Sequence, residues 1–167
     1  MSVSQHQQSA KSSLQVAVLT VSDTRTLETD KGGGLVAELL AAAGHVVADR
    51  EIVPDEPLLV KELVTRWIAD HAVDAVLVTG GTGISARDTT CETVVGLMTK
   101  LLPGYGELFR MLSYDEIGAA AMLSRAVGGV CDQTIVLTMP GSTAAVRLAM
   151  EKLILPELPH LVHEATK

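Results

Sequence analysis

Three runs of apolar and largely β-branched residues limit what this chain can fold into, because polar side chains hardly interrupt them. The runs are LQVAVLTV at 14–21, DAVLVT at 74–79 and TIVLTM at 134–139. A strand that is apolar on both sides has to be covered on both faces, as the central strands of a parallel sheet are. We therefore predict a sheet enclosed between two layers of helices. Aromatic residues make up only 2% of the chain, so Ala, Val, Leu and Ile must fill the core.

Helices are predicted between and after these runs. The clearest begins at Pro57 and carries five apolar residues at the spacing of one helix face. Strands that alternate with helices are typical of βαβ units, so the sequence predicts an α/β fold with three layers, in which a mostly parallel sheet has helices on both faces. Further helices are predicted at 35–43, 90–101, 103–112 and 113–123 and after Ser142, with another strand at 46–53 and strand material at 126–139 around a turn at 132–133.

Two of the predicted helix starts carry a capping-box pattern, in which a hydroxyl residue is followed three positions later by Glu. Thr89 with Glu92 would begin the helix at 90, and Ser113 with Glu116 would begin a separate helix. The aromatic residues of this region and the helix methionines are predicted to lie in the core, namely Tyr105, Phe109 and Tyr114 with the methionines.

The first residues differ in composition from the rest of the chain. Residues 1–13 are rich in Ser, Gln and Lys and hold too little apolar surface to become ordered. We predict a disordered tail at 1–13 and a single domain at 14–167, which is long enough to bury a core without disulfides or metals. No apolar run approaches the length of a membrane span, and residues 1–13 lack the apolar segment of a secretory signal, which argues against a membrane partner.

The net charge limits the ligands that the chain can bind, and the cysteines indicate the compartment in which it works. The chain has 13 Lys and Arg against 20 Asp and Glu, a net charge of −7, and an acidic chain repels the phosphate backbone of nucleic acid. A small phosphorylated ligand stays compatible, because backbone amides and one or two arginines can hold it locally. Cys91 and Cys131 form no Cys-x-x-Cys pair and no zinc ligand set, and such isolated reduced thiols are typical of a cytoplasmic protein.

Polar loops follow each predicted strand. Ser22 with Asp23 follows the first strand, Asp55 the second, Gly80–Asp88 the third and Pro140–Ser142 the last. Ligands of open α/β sheets bind beyond the carboxyl ends of the strands, so we expect these loops to form one site.

The stretch Thr79-Gly80-Gly81-Thr82-Gly83 is the most informative of these loops. Three glycines in four positions allow close approach of the backbone to a ligand, and consecutive exposed amides bind anions. A plain turn is the alternative, but it rarely needs three glycines, so we favour a phosphate or pterin site. No Gly-Lys follows, which excludes a Walker A loop, and the match of 81–86 to the dinucleotide fingerprint is weak because the predicted helix starts too late.

Two carboxylates accompany the glycine loop. Asp88 can be explained as a helix-dipole partner, and Asp55, before Pro57, as part of a helix start. At adjacent strand ends, however, the pair is suited to hold Mg²⁺ against the oxygens of a triphosphate.

Seven motifs in order give the chain a family resemblance, which covers about residues 14–158. It resembles the MoaB/Mog family of molybdenum cofactor biosynthesis proteins, and the MoaB branch more than the MogA branch. The motifs are LTVSD at 19–23, IVPD at 52–55, LVTGGTG at 77–83, RD at 87–88, PGYGELFRMLSYDEIG at 103–118, SRAVGG at 124–129 and MPGST at 139–143.

The resemblance implies a pterin-binding domain with the molybdenum cofactor biosynthesis protein-like fold and an ATP-dependent, Mg²⁺-assisted adenylylation of molybdopterin that releases pyrophosphate. It also implies a homotrimer or, in the MoaB branch, a homohexamer. Asp55 and Asp88 match the family's acidic pair. The substrate-binding positions implied by the strand-end loops and the family motifs are Ser22, Thr79, Gly80, Gly81, Thr82, Gly83, Glu107, Arg110, Ser113, Ser124, Arg125, Pro140, Gly141 and Ser142.

Several alternatives to this assignment stay open. Glu107, Arg110 and Arg125 are individually explained as a solvated helix face, and Ser113 and Ser142 as helix caps. A non-catalytic molybdopterin-binding or scaffold protein is the main competing function, and a dinucleotide-dependent oxidoreductase is the weakest. The chain departs from the family at Cys91, where many members have Pro, which leaves room for a looser loop.

Overall fold

The computed structural model describes residues 11–167 and contains one sheet of six strands in the order β2-β1-β3-β6-β5-β4. The pairs β2–β1, β1–β3 and β3–β6 are parallel, whereas β5 runs antiparallel to β6 and β4 antiparallel to β5. The predicted disordered tail lies outside the described residues, except for 11–13. The strands are β1 Gln15–Val21, β2 Val46–Val53, β3 Ala75–Thr79, β4 Lys100–Leu101, β5 Gly128–Cys131 and β6 Thr134–Met139.

Six α-helices connect and follow these strands. A 3₁₀ helix, Gly118–Leu123, follows α4, and a π-helical turn, Met150–Ile154, joins α5 to α6. Within residues 11–167, no helix is both long enough and apolar enough to cross a membrane. The helices are α1 Lys31–Ala42, α2 Pro57–Ala69, α3 Thr90–Val95, α4 Pro103–Ile117, α5 Thr143–Ala149 and α6 Leu155–Ala165.

The apolar strands bury alternate side chains on the two faces of the sheet. In β1, Val16 and Val18 join one core cluster, while Ala17 and Leu19 join the other. Helices α1, α4, α5 and α6 cover the first cluster, and α2 and α3 cover the second. The prediction of a three-layer α/β fold with a mostly parallel sheet is therefore confirmed.

The amphipathic faces read from the sequence are the buried ones. In α2, Val60, Leu63, Val64 and Trp67 are buried. Because β2, β1, β3 and β6 run parallel, the carboxyl ends of these four strands lie at one edge of the sheet.

The prediction of a helix from 90 to 101 is wrong beyond Val95. The chain turns there, and Lys100 and Leu101 pair instead with Val130 and Gly129 as the edge strand β4. The predicted capping box at its start is also wrong, because the Thr89 hydroxyl makes no capping hydrogen bond and donates to Asp55 Oδ1 at 3.3 Å.

The region 103–123 also differs from its prediction. One continuous helix runs from Pro103 to Ile117, so Ser113 lies buried inside it and does not cap a second helix. Gly118, at φ 61°, ends the helix. Phe109 is fully buried as predicted, but Tyr114, Met111 and Met122 are exposed, so their predicted place in the core is wrong.

The start of α1 differs from its prediction as well. Helix α1 begins at Lys31 and not at 35, because the Asp30 carboxylate accepts a hydrogen bond from the Gly33 amide at 2.9 Å and caps the helix. Pro156 lies in the first turn of α6, where its missing N–H is tolerated.

Candidate active site

The loops after β1, β2, β3 and β6 meet at one edge of the sheet, as the rule for parallel strands requires. On the side of α1 and α5 they surround a cleft, and on the side of α2 and α3 they bring the glycine loop against two carboxylates. We refer to these two parts as the cleft and the acidic half. Gly80, at the end of β3, lines the cleft and leads into the acidic half.

The cleft has a volume of about 510 Å³. Five of the sequence-predicted residues line it, and the cations Arg25 and Lys31 are added from the loop between β1 and α1. Neither cation was predicted from the sequence. The signal that could have identified them is Asp30-Lys31 followed by three glycines at 32–34, which marks the close packing of a helix start. The predicted residues in the cleft are Ser22, Thr79, Gly80, Gly141 and Ser142.

The starts of two helices face this cleft. Asp30 caps α1, and Gly32 in its first turn approaches the loop after β6 so closely that a Cβ there would lie 3.1 Å from the Gly141 carbonyl oxygen. Ser142 caps α5 by accepting a hydrogen bond from the Ala145 amide at 3.2 Å, which confirms its interpretation as a cap. Helix N-termini present free amides and a partial positive charge, so the cleft is suited to anionic groups.

Two glycines at the end of β3 adopt backbone conformations that other residues rarely take. Gly80 has φ 94° and Gly81 has φ 61°. A Cβ at Gly81 would lie 2.6 Å from Asp55 Oδ2 and against the buried Thr90 hydroxyl. The glycines are therefore required for backbone shape and for room beside Asp55.

Asp55 lies in the wall of the acidic half and is almost fully buried, with 6% of its surface exposed. Its amide donates to Asp23 Oδ1 at 3.0 Å, and its carboxylate accepts from the Thr89 hydroxyl. Burial raises the pKa of this carboxyl, hydrogen bonds from Thr89 oppose that effect, and the charges of Asp88 and Asp23 add to it. Such a crowded carboxylate favours a nearby cation.

Asp88 approaches the same loop from its other end. Its Oδ2 accepts hydrogen bonds from the Ser85 amide at 3.1 Å and the Ser85 hydroxyl at 2.5 Å, and a Cβ on Gly83 would lie 2.6 Å from it. Both predicted acids therefore flank the glycine loop. Thr82, which lies between Gly81 and Gly83, is buried.

Arg125 is directed toward the protein and not toward open solvent. Its Nε donates to the Thr82 carbonyl at 2.8 Å, its Nη2 donates to the Asp88 carbonyl at 3.4 Å, and it forms an ion pair with Glu92. The guanidinium thus supports the glycine loop from behind. Sequence reasoning placed Arg125 near the ligand, but it could not show these partners, which lie far away in the chain.

The other predicted positions fall into two groups. The Pro140 carbonyl accepts from the Thr79 hydroxyl at 3.2 Å and so joins the loops after β3 and β6. Glu107 and Arg110 lie in a separate groove of about 210 Å³ beside α4, together with Val95 and Leu101. Ser113 is buried within α4, and Ser124 follows the 3₁₀ helix, so the structure does not bring these four into the cleft.

Cys91, which stands where many family members have Pro, is buried in the first turn of α3. Its Sγ lies 4.0 Å from the Thr138 hydroxyl, and burial raises the pKa of its thiol. The packed thiol holds the start of α3 in place, so the missing proline does not leave this turn exposed.

Fold and site together define an α/β protein in which a glycine loop and two carboxylates meet at the carboxyl ends of parallel strands. The family model described as "Probable molybdopterin binding domain" matches residues 17–160. The chain belongs to this family, as the MoaB/Mog motifs indicated.

Individual relatives agree with this assignment over the whole length. The molybdenum cofactor biosynthesis protein B of Bacillus subtilis is 52% identical over 168 residues, covering 100% of this chain and 99% of the relative. A crystal structure of a molybdenum cofactor biosynthesis protein B is 52% identical, with a TM-score of 0.90 over 92% of this chain and 96% of that one. A tungsten cofactor synthesizing protein MoaB from Pyrococcus furiosus is 36% identical, with a TM-score of 0.84 over 95% of this chain and 100% of that one.

Proposed function

We propose that this protein acts in molybdenum cofactor biosynthesis as a molybdopterin adenylyltransferase. The terminal phosphate of molybdopterin attacks the α-phosphorus of ATP, the bond to the β-phosphate breaks, and pyrophosphate leaves. The names of the relatives support the pathway, and the meeting of Asp55 and Asp88 around the glycine loop is the observation that carries the reaction.

In this proposal, the cleft binds phosphate groups, and the acidic half holds Mg²⁺ beside the reacting phosphate. The side chains of Arg25 and Lys31 bind phosphate groups in the cleft, and the capping Asp30 is the one carboxylate among the described residues that line it. The Gly80 amide already donates to the Met139 carbonyl at 3.2 Å, so the backbone of Gly81 presents the reacting phosphate to the acidic half. The negative charge that develops on the leaving pyrophosphate needs stabilisation in a fixed geometry.

The acidic half fits Mg²⁺ in the way that phosphate-transfer sites usually do. Among residues 11–167, no group of three or more Asp, Glu, His or Cys side chains is placed to hold a metal alone. Asp55 and Asp88 supply two hard oxygen ligands, so the ion would complete its shell with phosphate oxygens and water, as Mg²⁺ prefers. When bound, Mg²⁺ would neutralise charge on the phosphates.

Asp88→Asn tests catalysis against a scaffold role. The substitution keeps the size of the side chain but removes its charge, so we expect the rate of pyrophosphate release to fall about a hundredfold at saturating ATP and Mg²⁺, with molybdopterin binding nearly intact. A matched control is Asp70→Asn, because Asp70 also accepts a backbone hydrogen bond, from the Ala72 amide at 2.9 Å, but lies at the end of α2 away from the site.

Three results would separate the alternatives. Normal turnover in Asp88→Asn would remove Asp88 from the reaction. Wild-type protein that binds molybdopterin tightly but releases no pyrophosphate would favour the non-catalytic binding or scaffold function. Equal losses in Asp88→Asn and Asp70→Asn would point to a general effect of charge.

We also propose that the protein assembles as a homotrimer or homohexamer in the cytoplasm. The support is a set of exposed apolar residues on α4 and the following 3₁₀ helix, which we name the α4 stripe. Exposed apolar residues that group on neighbouring elements are typical of protein interfaces. Both cysteines are free and buried, in keeping with a reducing compartment. The α4 stripe consists of Leu108, Met111, Tyr114, Ile117, Met122 and Leu123.

A further inference from the structure

Arg87 joins three of the strand-end loops at the acidic half. Its Nε donates to Asp23 Oδ2 at 3.0 Å and its Nη2 to Asp23 Oδ1 at 2.9 Å, so the contact with Asp23 is bidentate. Its Nη1 donates to Glu56 Oε1 at 2.8 Å. Asp23 follows β1, Glu56 follows β2 and Arg87 belongs to the loop after β3, so one guanidinium ties all three loops together.

The chain of contacts continues from Asp23 to Asp55. The same Asp23 Oδ1 that accepts from Arg87 also accepts the Asp55 amide at 3.0 Å. On its other side, Glu56 is the chain neighbour of Asp55. Arg87 therefore restrains the backbone of Asp55 from both directions without touching its carboxylate.

The position of the Asp55 carboxylate leaves little tolerance. Its Oδ2 lies where a Cβ on Gly81 would come within 2.6 Å, so the carboxylate is in close contact with the glycine loop. A displacement of about 1 Å at a reacting site can cost a hundredfold in rate. We therefore expect a restraint on the backbone of Asp55 to affect the reaction rate more than the free energy of unfolding.

The ion pairs of Arg87 contribute little to the stability of the fold. Its side chain is 53% exposed, and its partners Asp23 and Glu56 are 41% and 50% exposed. Ion pairs at such exposure contribute about 0–1 kcal/mol to folding. The bidentate contact, in contrast, fixes the orientation of the Asp23 carboxylate, and the single ammonium group of a lysine cannot make such a contact.

We propose that Arg87 is a positioning residue that, through Asp23 and Glu56, holds Asp55 beside the glycine loop. The effect on turnover rests on the proposed adenylyltransferase function, whereas the effect on the Asp55 backbone does not. The two are measured separately.

The first measurement is hydrogen exchange of the Asp55 amide in the free protein. Arg87→Gln removes the guanidinium group that binds Asp23 through two N–H groups, so we expect the Asp55 amide to exchange about tenfold faster or more. Arg87→Lys keeps the positive charge but loses the bidentate contact, and it should give an intermediate rate of exchange. Arg66→Gln is the matched control, because Arg66 is an exposed arginine near Asp49 and Glu51 that lies at the opposite end of α2 from the site.

The second measurement is pyrophosphate release with ATP, Mg²⁺ and molybdopterin. We expect Arg87→Gln to lower kcat about tenfold or more and to change KM for molybdopterin less than about threefold, which a purely structural role would not produce. Asp23→Asn should give the same change, and the double variant should add little to either single variant, because all act through one network.

The outcomes distinguish the two proposals. Unchanged exchange of the Asp55 amide in Arg87→Gln would overturn the positioning role whatever the activity. Faster exchange with wild-type kcat would overturn it too, since the restraint would then not matter to the reaction. A wild-type protein without turnover would count against the proposed function, and exchange together with the affinity for Mg²⁺ and ATP, measured by calorimetry in Arg87→Gln and Arg66→Gln, would then decide the role of Arg87.

Discussion

Gly81 is the residue at which the shape of the backbone and the chemistry of the site are most tightly coupled. Its φ of 61° is costly for any residue with a Cβ, and that Cβ would meet both Asp55 and Thr90. Thr90 Oγ1 is buried and has no hydrogen-bond partner among the described residues, and it occupies the space that this Cβ would need. Any side chain at position 81 has to displace the carboxylate.

We expect Gly81→Ala to reduce nucleotide affinity and turnover strongly and to lower the free energy of unfolding by about 2–5 kcal/mol, because the left-handed conformation costs about 1–2 kcal/mol and the overlap with Asp55 and Thr90 adds about 1–3 kcal/mol. The larger Gly81→Val should have a greater effect in the same direction. Calorimetric titration with ATP and Mg²⁺, together with a urea melt, measures both quantities.

Gly104→Ala is the control for this substitution. Gly104 lies in the first turn of α4, and a Cβ there would meet nothing within 4 Å, so binding should not change. If Gly81→Ala binds nucleotide as well as the wild type does, the loop is only a turn and the site has been assigned to the wrong residues.

The acidic pair and the glycine loop could be predicted from the sequence, because a rule about strand ends places them without any knowledge of packing. The direction of Arg125 could not be predicted in this way. Its partners, Thr82, Asp88 and Glu92, lie 33 to 43 residues away, and the choice between ligand and loop depends on the whole arrangement of α3 and the chain after α4. A residue type in a motif indicates a site but not the atom that the side chain contacts.

Helix α1 illustrates how tertiary packing overrides local preference. Its first turn contains Gly32, Gly33 and Gly34, which are poor helix formers, so the sequence favoured a later start. The glycines are needed because Gly32 packs against the loop of Gly141, and Gly33 against Asp30 and Thr20. The same reasoning explains β4, where pairing with β5 ends a helical pattern that would otherwise have continued.

Helix α4 carries exposed apolar residues on its outer face, beside exposed charged residues such as Glu107 and Arg110. Leu108, Met111 and Ile117 in the α4 stripe are exposed, although sequence reasoning had placed the methionines in the core. The error is informative, since apolar periodicity identifies a face to be buried but not whether the same chain or a second copy buries it.

We expect Leu108→Glu combined with Met111→Glu to dissociate the assembly, because two charges would have to be buried in an apolar interface. Light scattering on the wild type should give a mass of three or six copies, and the double variant should give a smaller one. The control is Leu58→Glu, a charge placed on an exposed leucine of α2.

Two results would count against the α4 stripe as an interface. One is a wild-type protein that is monomeric at micromolar concentration. The other is a double variant that keeps the wild-type mass.

The stability of the whole molecule should depend on pH through His45, which lies between α1 and β2. The ring is buried, and its Nδ1 accepts a hydrogen bond from the Leu14 amide at 3.3 Å, so the neutral form is the one that the fold accommodates. Burial lowers the pKa of His45 below its usual value of 6.5. In the unfolded chain that value is not lowered.

The sign of the effect follows from this difference in pKa. Above about pH 8, neither state binds the proton, and the free energy of unfolding does not depend on His45. As the pH falls through about 6.5, the unfolded chain takes up the proton while the folded protein does not, so stability falls until the lower pKa of the folded state is reached. For a single proton, the slope is at most about 1.4 kcal/mol per pH unit.

His45→Asn should remove this dependence, because the amide oxygen of Asn can accept the Leu14 hydrogen bond but does not titrate. Urea unfolding of the wild type and the variant between pH 7.5 and 5 measures the difference. His71→Asn, at an exposed histidine, is the control and should leave the slope of the wild type unchanged. The raised pKa of Asp55 is present in all three proteins and cancels in the comparison. Parallel curves for the wild type and His45→Asn would mean that His45 takes up its proton equally in the folded and unfolded states, and the assignment of a lowered pKa in the folded protein would be wrong.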